Sequence, residues 1–136
     1  MKTANVAEAV KSEHAVALLK QMYGENRVEE NAARYQLVAD GFAKEFGDKA
    51  FEFFSAPGRT EIGGNHTDHN HGKVLAGSVH LDCVAAAAPN GTHTVNLISE
   101  TYNQHLVIDL DDLAPTEKTT GTEPLLKGIF AGLLEK

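Results

Sequence analysis

One stretch of the chain has a composition suited to chemistry. Residues 56–72 read APGRTEIGGNHTDHNHG and contain little that could fill a core. A Gly-rich polar loop between two strands commonly presents side chains and main-chain N–H groups to a ligand. Within it, Arg59 offers a planar set of donors to oxygen atoms. Asp68 can accept hydrogen bonds from two hydroxyls, and His66 can donate or accept. The stretch is therefore a candidate ligand-binding loop.

Three interpretations of this loop stay open on residue chemistry alone. One is a solvated turn without a ligand. The second is a phosphate site, but Gly72 and Lys73 are followed by Val74 instead of Ser or Thr, so the pattern is not a P-loop. The third is a metal site, although the spacing matches no known ligand pattern. Its ligands would be His66, Asp68, His69 and His71.

Composition and charge narrow the function classes. The 136 residues carry a net charge of −7, which argues against a nucleic-acid-binding face. No apolar run approaches the roughly 18 residues of a membrane span, and Glu8 and Glu13 argue against a signal peptide. Cys83 is the single cysteine, so no intrachain disulfide can form and a cytoplasmic location is predicted.

The elements that must position the loop follow from hydrophobic periodicity. Helices are predicted over about 6–23 and 27–46, and a short strand over 51–54. One long strand, or two joined at residues 77–78, covers 73–88. Asn90-Gly91 is a hairpin signal before a strand over 92–99, and another strand alternates over 106–110. We expect a last helix with Thr122 as N-cap and Pro124 in its first turn. The predicted fold class is α+β: two N-terminal helices, a mixed β-sheet that carries the loop, and a C-terminal helix.

Three side chains outside the loop receive structural interpretations. His80 and Asp82 are predicted on the solvent face of their strand. Cys83 is predicted to be a small core residue. None of the three is assigned a chemical role.

The last helix carries a broad apolar stripe that runs to Lys136 without a capping residue. This predicts that residues 1–136 are one part of a longer protein. It also predicts self-association of the isolated chain through this helix, because exposed apolar surface tends to be buried in a partner. The stripe consists of Leu125, Leu126, Ile129, Phe130, Leu133 and Leu134.

Residues 56–72 closely resemble the galactokinase signature, usually written G-R-V-N-L-I-G-E-H-T-D-Y-N-G-G. Galactokinases are members of the GHMP kinases. The flanks fit as well, with Phe46-Gly47 before the strand and a Gly-x-Val-Leu from Gly72 to Leu75 after the loop. The matches in register are Gly58, Arg59, Gly64, His66, Thr67, Asp68, Asn70 and Gly72.

The resemblance implies a fold similar to the N-terminal part of the GHMP kinases and an ATP-dependent transfer of a phosphoryl group to the C1 hydroxyl of galactose. In that picture His66 and Asp68 hold sugar hydroxyls, and Arg59 stabilises charge that develops at the reacting hydroxyl. The implied partner is galactose or a related sugar. ATP and Mg²⁺ are implied as cofactors of the full-length enzyme.

Several residues depart from the family pattern, among them His69, which stands where the family has Tyr. Glu61 stands where the family has Asn, and Asn65 stands where it has the sugar-binding Glu. Residues 59, 61, 63 and 65 would share one face of an extended segment. We therefore interpret the acid and the amide as having exchanged places and assign both to sugar binding.

The sequence contains no Gly-Leu-Ser-Ser-Ser-Ala-type phosphate loop of the kind that binds ATP in the family. The 136-residue chain is therefore expected to bind no ATP and to have no kinase activity by itself. A non-catalytic galactose-binding or sensing module is the alternative from another functional class.

Overall fold

The computed structural model describes residues 5–64, 67, 70–115 and 120–135. The chain divides into two compact units, Met1–Pro89 and Asn90–Lys136. Each unit combines helical structure with a two-stranded antiparallel sheet. The predicted α+β class is confirmed. Within the described ranges the strands form two separate antiparallel pairs, where the sequence had suggested one mixed sheet.

The first unit begins with helices. These are α1 (Val6–Ala9), α2 (Glu13–Tyr23), a short 3₁₀ helix (Glu25–Arg27) and α3 (Val28–Phe46). The single helix predicted over 6–23 is wrong, because Ser12 is extended and starts a new helix by accepting the N–H of Ala15 on its hydroxyl at 3.2 Å. Helix α3 matches the prediction. It ends at Gly47, whose φ of 78° favours glycine.

The helices pack against a long antiparallel hairpin. Its strands are β1 (Glu52–Gly63) and β2 (Leu75–Ala87). The predicted strand at 51–54 therefore continues through the polar residues up to Gly63, and residues 73–88 contribute a single strand. At the start of β1 (residues 52–55) and along most of β2, partly buried residues alternate with exposed ones. From Ala56 to Gly63 every residue of β1 is exposed.

An aromatic core joins α1, α3 and the hairpin. Val6, Ala39, Phe42 and Phe51 are buried together. The ring centroids of Phe42 and Phe51 lie 4.8 Å apart, which is within the range of favourable ring packing. The core thus fixes the start of β1 against α3.

The opposite face of the hairpin is open. Leu81 is 68% exposed and Phe54 55% exposed. Cys83 is also exposed, so its predicted place in the core is wrong. It lies on the same face of β2 as Leu81, whereas Val84 and Ala86 are partly buried on the other face. His80 is exposed, as predicted.

The second unit contains strands β3 (Thr94–Ser99) and β4 (Gln104–Asp109) and helix α4 (Thr122–Leu134). The strands pair antiparallel, and Ile108 is fully buried. The hairpin predicted at Asn90-Gly91 is wrong: β3 pairs with β4, and the Asn90 side chain accepts the N–H of Thr92 at 2.9 Å to form a local turn.

Helix α4 starts close to the predicted position. Thr122 is its first residue and Gly121 its N-cap, so Thr122 is not the cap, and Pro124 lies in the first turn as expected. Leu125, Ile129 and Leu133 are 63%, 48% and 64% exposed. In the part of the chain that the structure describes, no helix is both long and apolar enough to cross a membrane.

Candidate functional site

The candidate site is built on the far half of the long hairpin, beyond its aromatic core. Arg59 and Glu61 lie two residues apart on β1 and share a face, as predicted. Arg59 Nη2 lies 3.5 Å from Glu61 Oε1, and the Arg59 side chain is 74% exposed. The Glu61 side chain is 27% exposed, so the pair is partly open to solvent, and ion pairs near the surface are typically worth about 1 kcal/mol or less. Arg59 can therefore exchange this partner for a ligand oxygen at little cost.

The connection between β1 and β2 is closed at its base by a close backbone approach. Gly64 has a φ of 81°, and a Cβ at this position would lie 2.1 Å from the carbonyl oxygen of Lys73. Only glycine can occupy such a position without moving the facing main chain. The absence of a side chain at residue 64 thus allows the two ends of the connection to approach each other closely.

Thr67 organises the connection from within. Its hydroxyl donates to the carbonyl of Gly64 at 2.6 Å, and its N–H donates to the same oxygen at 3.1 Å. Its own carbonyl accepts the N–H of Asn70 at 3.1 Å and the N–H of Gly72 at 2.7 Å. These bonds satisfy main-chain groups of Gly64, Thr67, Asn70 and Gly72, which lie outside the paired part of β1 and β2.

Gly72 completes this arrangement. A Cβ at Gly72 would lie 2.4 Å from the Cβ of Thr67, which leaves no room for any side chain. His71, just before it, adopts a left-handed φ of 58°. The sequence marked Thr67 and Gly72 as signature matches, but their roles in closing the loop were not predicted. The sequence signals for this arrangement were the pair Gly63-Gly64 and the position of Thr67 between Gly64 and Gly72.

Asn65, His66, Asp68 and His69 lie outside the described residues. The roles predicted for Asn65, His66 and Asp68 in sugar binding therefore stay predictions. The same holds for the metal alternative, which depends on His66, Asp68 and His69. Across the ranges that are described, no three His, Cys, Asp or Glu side chains come together in a way that could hold a metal ion.

A second polar cluster lies beneath the hairpin, where β2 meets α2 and α3. The Asp82 side chain is only 4% exposed, so its predicted place on the solvent face is wrong. Its carboxylate accepts hydrogen bonds from Arg34 Nη1, the Tyr23 hydroxyl and Ser55 Oγ, each at 2.5 Å. Arg34 Nη2 also donates to the main-chain carbonyl of Asp82 at 2.6 Å. Buried charges are tolerated when they are paired and fully hydrogen-bonded in this way.

The cluster shifts the ionisation of its members. Burial by itself would raise the pKa of Asp82, but the hydrogen bonds from Ser55, Tyr23 and Arg34 outweigh it and leave that pKa below its ordinary value. Burial and the hydrogen bond to Asp82 both raise the pKa of Tyr23. At neutral pH the carboxylate is therefore charged and the phenol neutral.

The sequence offered a weak signal for this cluster. Asp82 is the one charged residue in an otherwise apolar run, Leu81 to Ala88, and such a residue is buried only with a partner. The face it occupies could not be read from alternation, because β2 is irregular just before it. Pro57 pairs with Asp82 and Arg59 pairs with Ser78, so three residues of β2 stand opposite Gly58 alone.

Comparison with known proteins identifies a family signature in the first unit. Residues 40–89 match the family model described as the galactokinase galactose-binding signature. The chain carries that galactokinase signature. The matched segment includes β1, the connection organised by Thr67, and β2. The resemblance stated from the residues is thereby confirmed for this region.

Galactokinases of two Lactococcus lactis strains are similar to this chain. That of subspecies cremoris MG1363 is 37% identical over 89 residues, which cover 63% of this chain and 22% of that protein. That of subspecies lactis IL1403 is 36% identical over 95 residues, 69% of this chain and 24% of that protein.

The galactokinase of Lacticaseibacillus casei BL23 is 36% identical over 73 residues, 54% of this chain and 19% of that protein. The chain thus spans about a quarter or less of the length of these galactokinases. No solved structure matches the chain.

Proposed function

We propose that this chain is the sugar-recognising portion of an ATP-dependent galactokinase that phosphorylates the C1 hydroxyl of galactose in the cytoplasm. The observation that carries the proposal is the match of residues 40–89 to the galactose-binding signature on the hairpin of β1 and β2. Thr67 is hydrogen-bonded to Gly64 and Gly72, next to the point where the two strands approach each other. Arg59 and Glu61 are presented on the paired strand β1, and binding residues that are ordered in advance lower the entropy lost on binding.

The proposed sugar contacts follow from the chemistry of the side chains. Asp68 is an acceptor-only carboxylate that suits two adjacent hydroxyls, and His66 can serve as either donor or acceptor. Asn65 and Glu61 supply an amide and a further carboxylate. Glu61 is available because its ion pair with Arg59 spans 3.5 Å and the Arg59 side chain is exposed to solvent.

Arg59 is the proposed catalytic residue. Phosphoryl transfer to a hydroxyl concentrates negative charge around the reacting oxygens, and catalysis depends on positioning and electrostatic stabilisation. A guanidinium stays charged at any working pH and offers several donors in one plane. The exposed side chain of Arg59, two residues from Glu61 on the same face of β1, suits this task.

ATP and Mg²⁺ are the cofactors of the proposed reaction, but the described residues do not fit them. Among these residues no cluster of three metal-ligating side chains occurs. The Gly-rich stretch over 56–72 is assigned to the sugar. Sugar recognition and the placement of Arg59 are therefore the parts of the proposed reaction that we assign to this chain.

Calorimetric titration of the 136-residue chain with galactose and with glucose tests the proposal. The two sugars differ only in the configuration at C4, so a site built for galactose should discriminate through its hydroxyl contacts. We expect galactose to bind at least tenfold more tightly than glucose. Equal affinity for both sugars, or no heat with either at tens of millimolar, would contradict the proposal.

A further inference from the structure

We propose that Arg34 and Asp82 are positioning residues for Arg59: the pair holds the irregular segment of β2 that sets the main chain at Gly58 and Arg59. The inference rests on the proposed function where it concerns the catalytic role of Arg59. Its structural part stands on the contacts between α3, β2 and β1.

The first step is the anchorage of β2 to α3. Arg34 donates two hydrogen bonds to Asp82, one to the carboxylate at 2.5 Å and one to the main-chain carbonyl at 2.6 Å. The second bond holds the strand itself, and Ser55 and Tyr23 hold the carboxylate from β1 and α2. A planar guanidinium can make both bonds at once, which an ammonium group cannot do with the same geometry.

The second step is the irregularity next to Asp82. Residues 79–81 of β2 stand opposite the single residue Gly58 of β1. A bulge of this kind re-aims the side chains beside it. The contact is close, since a Cβ at Gly58 would lie 3.2 Å from the carbonyl oxygen of Leu81 and 3.3 Å from Val79 Cγ2. The shape of the bulge therefore determines the path of β1 at Gly58.

The third step leads from Gly58 to Arg59. Arg59 pairs with Ser78 at the far side of the bulge, whereas Pro57 pairs with Asp82 at the near side. The main chain at Arg59 determines where this side chain, which is 74% exposed, leaves β1. Weaker hydrogen bonds from Arg34 to Asp82 would therefore change the bulge and, with it, the placement of Arg59.

Nuclear magnetic resonance on the 136-residue chain without sugar tests whether Arg34 and Asp82 set the main chain at Gly58 and Arg59. Arg34→Lys keeps the charge but loses the planar pair of donors that bonds both the carboxylate and the main-chain carbonyl of Asp82. Arg27→Lys is the matched control, because Arg27 also makes a two-point contact, with Glu30, but at an exposed position. We expect Arg34→Lys to shift the amide signals of Gly58 and Arg59 and to lower their ¹⁵N order parameters. The control should leave both unchanged.

A folded Arg34→Lys chain with unaltered Gly58 and Arg59 signals would overturn the inference. If that variant is partly unfolded, Ser55→Ala, which removes one donor to Asp82, is judged by the same criterion.

Steady-state kinetics of the proposed kinase then follow, in which Arg34→Lys should lower kcat at least threefold and Arg27→Lys should not. Altered signals with unchanged kcat would overturn the positioning role. If the unmodified chain binds no galactose, the proposed function fails, and the sugar-free signals still decide whether Arg34 and Asp82 set Arg59.

Discussion

Arg34 is joined to Asp82 by two hydrogen bonds, from Nη1 to the carboxylate at 2.5 Å and from Nη2 to the main-chain carbonyl at 2.6 Å. The pair ties α3 to β2 beneath the hairpin that carries the signature. Removing one partner of a buried ion pair costs up to about 3–5 kcal/mol. The Arg34 side chain is 36% exposed, so we expect the lower end of that range for Asp82→Ala.

The first prediction concerns acid stability. The pKa of Asp82 is below its ordinary value of 3.8 in the folded chain, so the carboxylate binds fewer protons when folded than when unfolded. Its contribution to the free energy of unfolding is complete above about pH 4 and is lost as the pH falls through the folded-state pKa. Asp82→Asn should therefore flatten the fall in melting temperature between pH 5 and pH 2.

Glu30→Gln is the control for this measurement. Its hydrogen bond and its charge pairing with Arg27 also lower the pKa of Glu30, but the pair is exposed. The control should keep the acid slope of the unmodified chain. An Asp82→Asn chain with the same slope as the control would show that Asp82 does not govern acid stability.

The second prediction concerns Arg59 in the active kinase that we propose. Arg59→Lys keeps the charge and loses the planar set of donors. If Arg59 stabilises charge that develops at the reacting hydroxyl, the substitution should lower kcat at least tenfold and raise the KM for galactose less. Steady-state kinetics with varied galactose gives both constants. A rise in KM at unchanged kcat would make Arg59 a binding residue only.

The third prediction separates sugar from metal at the same loop. His66, His69 and His71 should not form a stoichiometric zinc site, because their spacing lacks a fixed ligand geometry. Metal analysis of protein that is purified without a histidine tag and dialysed is the check. One tightly held zinc ion per chain would support the metal alternative instead of the sugar site.

The fourth prediction concerns self-association. Leu125, Ile129 and Leu133 recur along one exposed face of α4, and exposed apolar surface of this kind favours association. Light scattering should give a mass above 14.6 kDa for the isolated chain. Ile129→Glu should shift it towards the monomer, whereas Val107→Glu, at an exposed site on β4, should not. A monomeric unmodified chain would contradict the prediction.

The regular elements with clear periodicity could be predicted from the sequence. Helix α3 and its end at Gly47, strand β4 with buried Ile108, and Pro124 in the first turn of α4 all follow from local patterns. The break before α2 was missed, although Ser12 is a strong N-cap residue. Local capping there outweighed a continuous apolar face.

The parts that could not be predicted depend on pairing between distant residues. The second half of β1 has no apolar alternation because it is exposed, so its extension to Gly63 follows only from its partner β2. The irregularity at residues 79–81 changes which side chains of β2 face the helices, so that the Asp82 side chain is buried. Cys83 lies outside. In the site, the sequence predicted that Arg59 and Glu61 share a face. The hydrogen bonds of Thr67 with Gly64 and Gly72 could not be predicted, because they depend on the path of the main chain.

The fifth prediction tests the central claim, that galactose binds at the signature connection. Two-dimensional ¹H–¹⁵N spectra of the 136-residue chain, recorded during a galactose titration, locate the site. Saturable shifts should be largest at Arg59, Thr67, Asn70 and Gly72 and absent from β3. Asp68→Ala should weaken the affinity at least tenfold, about 1.4 kcal/mol, whereas Asp112→Ala should leave it unchanged. Shifts that avoid residues 58–72, or an unaltered affinity of the Asp68→Ala chain, would contradict the claim.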